Sequence, residues 1–158
     1  MPRVGFREWI AVSRVIARGQ LLRYRGGEDG FTTRFEAQLC KKIGVKHALT
    51  VNSGTSALIS ALVAAGIGPG DEVLVPAYTW VATAAAPLAV GAVPVLVDVD
   101  ESLTIDPEDI KRKITPYTKA IIPVHMLNLV CNMDAITAIA AQHRLLVIED
   151  ACQAVVIS

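Results

Sequence analysis

The chain has no excess of charge of either sign. Its 158 residues contain 15 lysines and arginines and 15 aspartates and glutamates, so the formal net charge is +0. Binding to a phosphate backbone requires clustered basic residues, and we therefore expect no nucleic-acid partner. With 53% hydrophobic and 19% charged residues, the composition also excludes a disordered chain. It indicates a folded protein, which we interpret as one α/β domain.

Cysteines are few and widely separated. The sequence contains Cys40, Cys131 and Cys152. No pair has the spacing of a metal site or of a disulfide framework, so a reduced cytoplasm is the simplest setting. The first residues also lack the apolar segment of a secretion signal. We therefore expect a cytoplasmic protein without a structural metal.

One long uncharged run could be mistaken for a membrane helix. Val73 to Val97 carries no charged residue and is long enough to span a bilayer. It contains Pro76, Pro87 and Pro94, however, which a continuous helix does not accommodate. We interpret it as a β-run, an alanine-rich helix and a second β-run, because buried parallel strands are themselves continuously apolar. No membrane association is expected.

From Lys46 onward, β-runs alternate with helical segments. The predicted β-runs are 47–51, 72–75, 93–97, 120–124 and 145–148, and the predicted helices between them are 55–65, 79–90, 107–114 and 134–142. This alternation predicts an α/β fold with a mostly parallel sheet and helices on both faces. Residues 1–45 are predicted as an amino-terminal helical segment, with one helix over 6–17 and a second that starts at Thr33 and is capped by Gly44.

Ligands of open parallel sheets gather at the carboxyl ends of the strands. The first β-run is followed by small residues from Asn52 to Leu58 that enter a helix. Backbone N–H groups and hydroxyls of Thr55 and Ser56 at this helix start could hold a phosphate. An ordinary N-cap at Ser53 is an equally good interpretation.

Two more strand ends carry residues suited to a flat, cationic ring. Trp80 follows the second β-run and could stack on such a ring, although packing in a core or interface is the commoner role of tryptophan. Asp150 follows the last β-run, where a protonated ring nitrogen would be a good partner. A turn or N-cap aspartate is the alternative.

Other candidate motifs fail on context. Gly66 to Asp71 is glycine-rich but follows a helix and precedes a strand, which is the reverse of a dinucleotide-binding motif. His125 follows the β-run 120–124 and could face the site, but we favour a structural role as a hydrogen-bonded histidine at a strand end.

Taken together, these motifs resemble the DegT/DnrJ/EryC1/StrS family of sugar aminotransferases. The resemblance is carried by Asn52 to Leu58, Pro76 to Thr83, Pro123 to Met126 and Glu149 to Ala154, and it extends from Arg3 to Ala154. It implies part of a fold-type-I large domain, pyridoxal 5'-phosphate as cofactor, and a homodimer with the site at the subunit interface. The implied reaction moves an amino group from glutamate or glutamine to a keto group of a nucleotide-linked sugar or a cyclitol.

The resemblance also implies roles for individual residues. Thr55 and Ser56 would bind the cofactor phosphate, and Trp80 would stack on the pyridine ring. Asp150 would pair with the ring nitrogen, and Gln153 would contact the region of the ring hydroxyl. These roles match the phosphate, the ring and the cation inferred above from the residues alone.

The sequence departs from the family at one essential point. The family's Schiff-base lysine lies in a later serine-containing segment, and nothing after Gln153 corresponds to it. We expect a truncated large domain over 1–158 that does not complete catalysis alone, as a truncation, a frameshift or a split gene would produce. A non-catalytic partner of a full-length relative and an inert gene remnant are the alternatives.

Overall fold

The computed structural model describes residues 4–22 and 30–154. Contacts divide the chain into two compact units, Met1–Thr50 and Val51–Ser158. The assignment of a single domain with a helical segment up to residue 45 stays a prediction. Residues 155–158, where the sequence departs from the continuation seen in the family, lie outside the described residues.

The first unit contains two helices, α1 (Phe6–Ala17) and α2 (Phe31–Ile43). Helix α2 begins before the predicted Thr33, because the backbone of Gly30 provides the extended N-cap. It ends at Gly44, which has the left-handed conformation (φ 79°) expected of a C-cap glycine.

The predicted β-run 47–51 was wrong, since these residues form no strand. The backbone N–H and the hydroxyl of Thr50 both donate to Oε1 of Glu36, at 2.8 Å each. Glu36 is buried, and its carboxylate therefore takes a donor that a sheet ladder would otherwise use. An apolar run becomes a strand only where a neighbouring strand accepts its hydrogen bonds.

Within the described part of the second unit, the strands form one parallel sheet in the order β2-β1-β3-β4. The strands are β1 (Glu72–Pro76), β2 (Val93–Val97), β3 (Thr118–Ile121) and β4 (Leu146–Val147). The helices are α3 (Gly54–Ala64), α4 (Ala82–Ala89), α5 (Pro107–Lys113) and α6 (Met133–His143). The predicted α/β class with a parallel sheet is confirmed.

Strand β1 shows why both faces of the sheet are covered. Val73 and Val75 belong to the apolar core that contains Leu62 of α3, whereas Leu74 belongs to the core that contains Ile136 of α6. Successive side chains of a strand point to opposite faces, so a strand with an apolar layer on each face is apolar throughout. The three valine and leucine side chains of β1 and their partners Leu62 and Ile136 are fully buried. Truncating Leu74 to alanine would cost about 2–5 kcal/mol.

Two element boundaries differ from the prediction for identifiable reasons. Strand β3 ends at Ile121 rather than at residue 124, because Pro123 has no N–H to continue the ladder. Helix α4 begins at Ala82 rather than at residue 79, since the N–H of Thr83 bonds to the carbonyl of Trp80 in a tighter turn. Among the described residues, no helix combines the length and the apolarity needed to cross a membrane.

Candidate functional site

The carboxyl ends of the strands surround a cavity of about 230 Å³. Its lining residues come from the start of α3, from the turn before α4, from the end of β3 and from the turn after β4: Gly54, Thr55, Leu58, Trp80, Ala82, Val124, Asp150, Cys152 and Gln153. The structure thus brings Thr55, Trp80, Asp150 and Gln153 together. Ser56, the remaining residue implied by the sequence, lies one position behind Thr55 and does not line the cavity.

Ser53 caps the helix that opens onto the cavity. Its Oγ accepts a hydrogen bond from the N–H of Ser56 at 3.1 Å, and the two hydroxyls are 3.0 Å apart. The N-cap interpretation of Ser53 is therefore confirmed. Thr55 remains in the first turn of α3, where backbone N–H groups have no acceptor within the helix and the helix dipole is positive.

Trp80 is not a core residue. Its surface is 71% exposed, and its side chain forms one wall of the cavity. An indole in this position offers a broad apolar face to a planar ligand. The alternative that Trp80 packs in a core was wrong, and the alternative that it packs in an interface stays a prediction.

The backbone of Asp150 is held by the segment that follows β3. Its N–H donates to the carbonyl of Pro123 at 2.9 Å, and its carbonyl accepts from the N–H of His125 at 3.1 Å. Its carboxylate Oδ1 accepts from the N–H of Cys152 at 3.1 Å, and Oδ2 lies 3.5 Å from the hydroxyl of Thr83. Asp150 is only 9% exposed, so it is at once a turn aspartate and the buried acid of the cavity.

Gln153 has one end of its amide occupied. Oε1 accepts the N–H of Leu127 at 2.9 Å, which leaves the two amide hydrogens for other acceptors. Leu127 and Asn128 both have left-handed backbone conformations, with φ of 51° and 67°. Gln153 therefore holds a loop whose backbone is unfavourable for leucine.

His125 has a structural role, as expected. Its Nδ1 accepts from the N–H of Cys131 at 3.2 Å, so the proton of the neutral ring lies on Nε2, 3.2 Å from Oε1 of Glu149. His125 is buried and does not line the cavity.

Three residues near the cavity were missed by the sequence reasoning. Gly54 and Cys152 line it, and Thr83 is fully buried against Asp150. The sequence offered a signal only for Thr83, which is a polar residue four positions after Thr79 within an otherwise apolar predicted helix. The Asp150 carboxylate accepts a hydrogen bond from the Cys152 thiol and, with burial, raises the pKa of that thiol above its ordinary value.

Comparison with known proteins identifies relatives over about four fifths of the chain. GDP-perosamine synthase from Caulobacter vibrioides is 51% identical over 79% of this chain and 34% of its own length. The L-glutamine:2-deoxy-scyllo-inosose aminotransferase of Micromonospora echinospora is 46% identical over 81% of this chain and 31% of its own. The chain thus spans about a third of the length of these relatives.

Solved structures of similar proteins superpose on most of this chain. The aminotransferase from Psychrobacter cryohalolentis superposes with a TM-score of 0.90 at 40% identity, over 97% of this chain and 38% of that one. NtdA from Bacillus subtilis, solved with bound cofactor PMP, gives a TM-score of 0.85 at 37% identity, over 93% of this chain and 33% of that one. The model of the DegT/DnrJ/EryC1/StrS aminotransferase family matches residues 8–157, and the chain belongs to that family.

Proposed function

We propose that the cavity binds pyridoxal 5'-phosphate and that this chain supplies the cofactor-binding face of a sugar aminotransferase. One observation carries the proposal: Thr55, Trp80 and Asp150, which lie far apart in the sequence, line the same cavity. The helix start at Thr55 suits a phosphate, and the exposed indole of Trp80 suits a flat ring. The buried carboxylate of Asp150 suits a cationic ring nitrogen.

The hydrogen-bonding groups at the phosphate end fit this cofactor. The first turn of α3 offers the N–H of Thr55 and the positive end of the helix dipole. The N–H of Ser56 is taken by Ser53, so Ser56 would contribute through its hydroxyl, which also lies against Ser53. Thr55 is therefore assigned the larger share of phosphate binding.

The groups at the ring end fit equally well. Trp80 would cover one face of the pyridine ring, and the free amide hydrogens of Gln153 would donate to the ring hydroxyl oxygen. The Asp150 carboxylate would accept a hydrogen bond from the protonated ring nitrogen and so favour retention of that proton on the ring. When bound, the cofactor supplies an electron sink for moving an amino group between carbon centres.

The names of the relatives support a substrate class. A perosamine synthase and a scyllo-inosose aminotransferase that uses L-glutamine both match this chain at 46% identity or more. We assign the amino acceptor as the keto group of a nucleotide-linked sugar or a cyclitol, and the donor as glutamate or glutamine.

The described residues bind and orient the cofactor without completing the transfer. No lysine is found among the residues that line the cavity in the described ranges. A lysine is needed both for the covalent link and as the base that moves the proton. Borohydride reduction of the chain with pyridoxal phosphate is therefore expected to label no single lysine. Specific labelling of one lysine peptide would contradict this part of the proposal.

Pairing with a second subunit, either another copy or a full-length relative, is a second candidate function. Apolar side chains on and beside α3 and α4 remain exposed, with Val63 at 61%, Val81 at 72% and Leu88 at 62%. Exposed apolar side chains of this size are a common feature of subunit interfaces. Size-exclusion chromatography of the chain, alone and mixed with an intact relative, tests this; a monomer in both runs would exclude it.

Binding of pyridoxamine phosphate tests the cofactor site without lysine chemistry, because this form of the cofactor has no aldehyde. In equilibrium dialysis, Asp150→Asn and Trp80→Ala should each weaken binding about tenfold or more, as expected for loss of a charge-assisted hydrogen bond or a stacked ring. Asp134→Asn and Tyr117→Ala are matched controls, since both residues are exposed and lie outside the cavity. Equal losses in the controls, or no saturable binding, would refute the assignment.

A further inference from the structure

The side chain of Thr83 is completely buried in a helix made otherwise of alanine, proline and leucine. Threonine is a weak helix former, and a buried hydroxyl without a partner costs about 1–3 kcal/mol. Its hydroxyl oxygen lies 2.9 Å from Oγ1 of Thr79 and 3.5 Å from Oδ2 of Asp150. These two contacts give the buried hydroxyl the partners it requires, whereas helix propensity does not favour threonine at this position.

The protons of the two hydroxyls have a favoured arrangement. An ionised carboxylate only accepts hydrogen bonds, so Thr83 donates its single proton to Asp150. The oxygen of Thr83 is then left to accept the proton of Thr79. Both threonines thus form a chain of donors that ends on the carboxylate.

The hydrogen bond from Thr83 gives the Asp150 carboxylate a donor at its second oxygen. Oδ1 is held by the N–H of Cys152, and Oδ2 faces Thr83. With a donor at each oxygen, rotation of the carboxylate is restricted, and its remaining lone pairs are available to the cavity. The distance of 3.5 Å is long for such a bond, as is common for active-site hydrogen bonds in the absence of ligand.

We propose that Thr83, supported by Thr79, is a positioning residue that fixes the Asp150 carboxylate for the ring nitrogen of the cofactor. The part that concerns the cofactor rests on the proposed function. The part that concerns the carboxylate rests on Thr83 and Asp150 alone. The two parts are tested separately.

A double-mutant cycle on the chain without ligand tests the contact between the two residues. Thr83→Val keeps the shape of the side chain and removes the hydroxyl, and it should lower the melting temperature by about 2–4 °C. In an Asp150→Ala background the same substitution should lower it by less than about 1 °C, because the acceptor is gone. If Thr83→Val does not fold, Thr79→Val takes its place in the cycle, with a smaller expected shift.

Pyridoxamine phosphate binding then tests the role toward the cofactor. Thr83→Val should weaken binding about tenfold, whereas Thr83→Ser, which keeps the hydroxyl, should stay within about twofold of the native chain. Equal melting losses in both backgrounds would overturn the proposal, and so would Thr83→Ser binding as weakly as Thr83→Val. If the native chain fails to bind, the proposed function fails, and the melting cycle still decides whether Thr83 holds Asp150.

Discussion

A Cβ atom built on Gly54 would lie 3.0 Å from Sγ of Cys152. The start of α3 and the turn after β4 therefore approach each other closely because residue 54 has no side chain. Both residues line the cavity, so this contact sets the distance between the proposed phosphate end and Asp150. It links a glycine of one motif to a cysteine of another.

Adding a methyl group at this contact should disturb the cavity. Gly54→Ala is expected to push the Cys152 side chain aside and to cost about 1–3 kcal/mol of stability or binding, as overpacking does. Urea denaturation and pyridoxamine phosphate dialysis measure the two effects. The double variant Gly54→Ala/Cys152→Ala should recover most of the lost stability and binding, because the sulfur is removed. If the double variant is as impaired as Gly54→Ala, backbone geometry at residue 54, and not the sulfur, is responsible.

Alkylation of Cys152 should be slow at mildly alkaline pH. The Asp150 carboxylate raises the pKa of this thiol, chiefly by accepting its hydrogen bond, so less thiolate is present at a given pH. Asp150→Asn should shift the rate profile with iodoacetamide to lower pH. Because the folded-state pKa is raised, the related stability is present below the ordinary thiol pKa and is lost as pH rises through the folded value.

Cys40, which lies in the other unit, serves as the internal reference for that experiment. The alkylation profile of Cys40 should be the same in the native chain and in Asp150→Asn. An unchanged profile for Cys152 after Asp150→Asn would contradict the thiol–carboxylate contact.

The left-handed conformation of Leu127 should make a glycine favourable there. Leu127 has φ 51° and is 61% exposed, so Leu127→Gly relieves backbone strain and loses few contacts. We expect the melting temperature to be unchanged or to rise by a few degrees. Leu129→Gly is the matched control, since Leu129 is exposed but has φ −90°, and it should be destabilising. Equal destabilisation by both changes would argue against strain at residue 127.

Asp109 should contribute stability that disappears in acid. The N–H of Asp98, at 2.8 Å from the carboxylate, lowers the pKa of Asp109, with Arg112 acting in the same direction and burial opposing both. A lowered folded-state pKa means that this stability is present above the ordinary carboxyl pKa and is lost as pH falls through the folded value. Asp109→Asn should therefore be less stable than the native chain at pH about 7 and approach it near pH about 3.

Urea midpoints at several pH values measure this difference, with the exposed Glu101→Gln as a control that should show little change at either pH. A difference between Asp109→Asn and the native chain that stays constant down to low pH would show that the loss comes from packing and not from the charge.

Local patterns predicted most of the second unit but not its long-range contacts. The apolar run 93–97 became β2 with the predicted limits, since a turn at Gly91 precedes it and polar Asp98 follows. The run 47–51 failed because the side chain of Glu36 competes for the N–H of Thr50. A contact between residues 14 positions apart leaves no periodic signal in the sequence.

The candidate site shows the same division. Parallel strands end at the same edge of a sheet, which predicted that Trp80 and Asp150 would lie together. The same argument placed Thr55 after the run 47–51, but that run forms no strand, and Thr55 reaches the cavity at the start of α3. The partners that fix these residues were not predictable, since Thr83 and Asp150 are 67 positions apart and Leu127 and Gln153 are 26 apart. Such pairings depend on tertiary packing.

Titration of the isotope-labelled chain with pyridoxamine phosphate, followed by amide chemical shifts, tests the cofactor site most directly. We expect saturable shifts confined to residues 54–56, 80–83 and 150–153, and their loss in Asp150→Asn. Shifts in all three of these ranges would establish that one ligand contacts them together. The absence of shifts, or shifts located in α1 and α2, would contradict the claim that this cavity binds the cofactor.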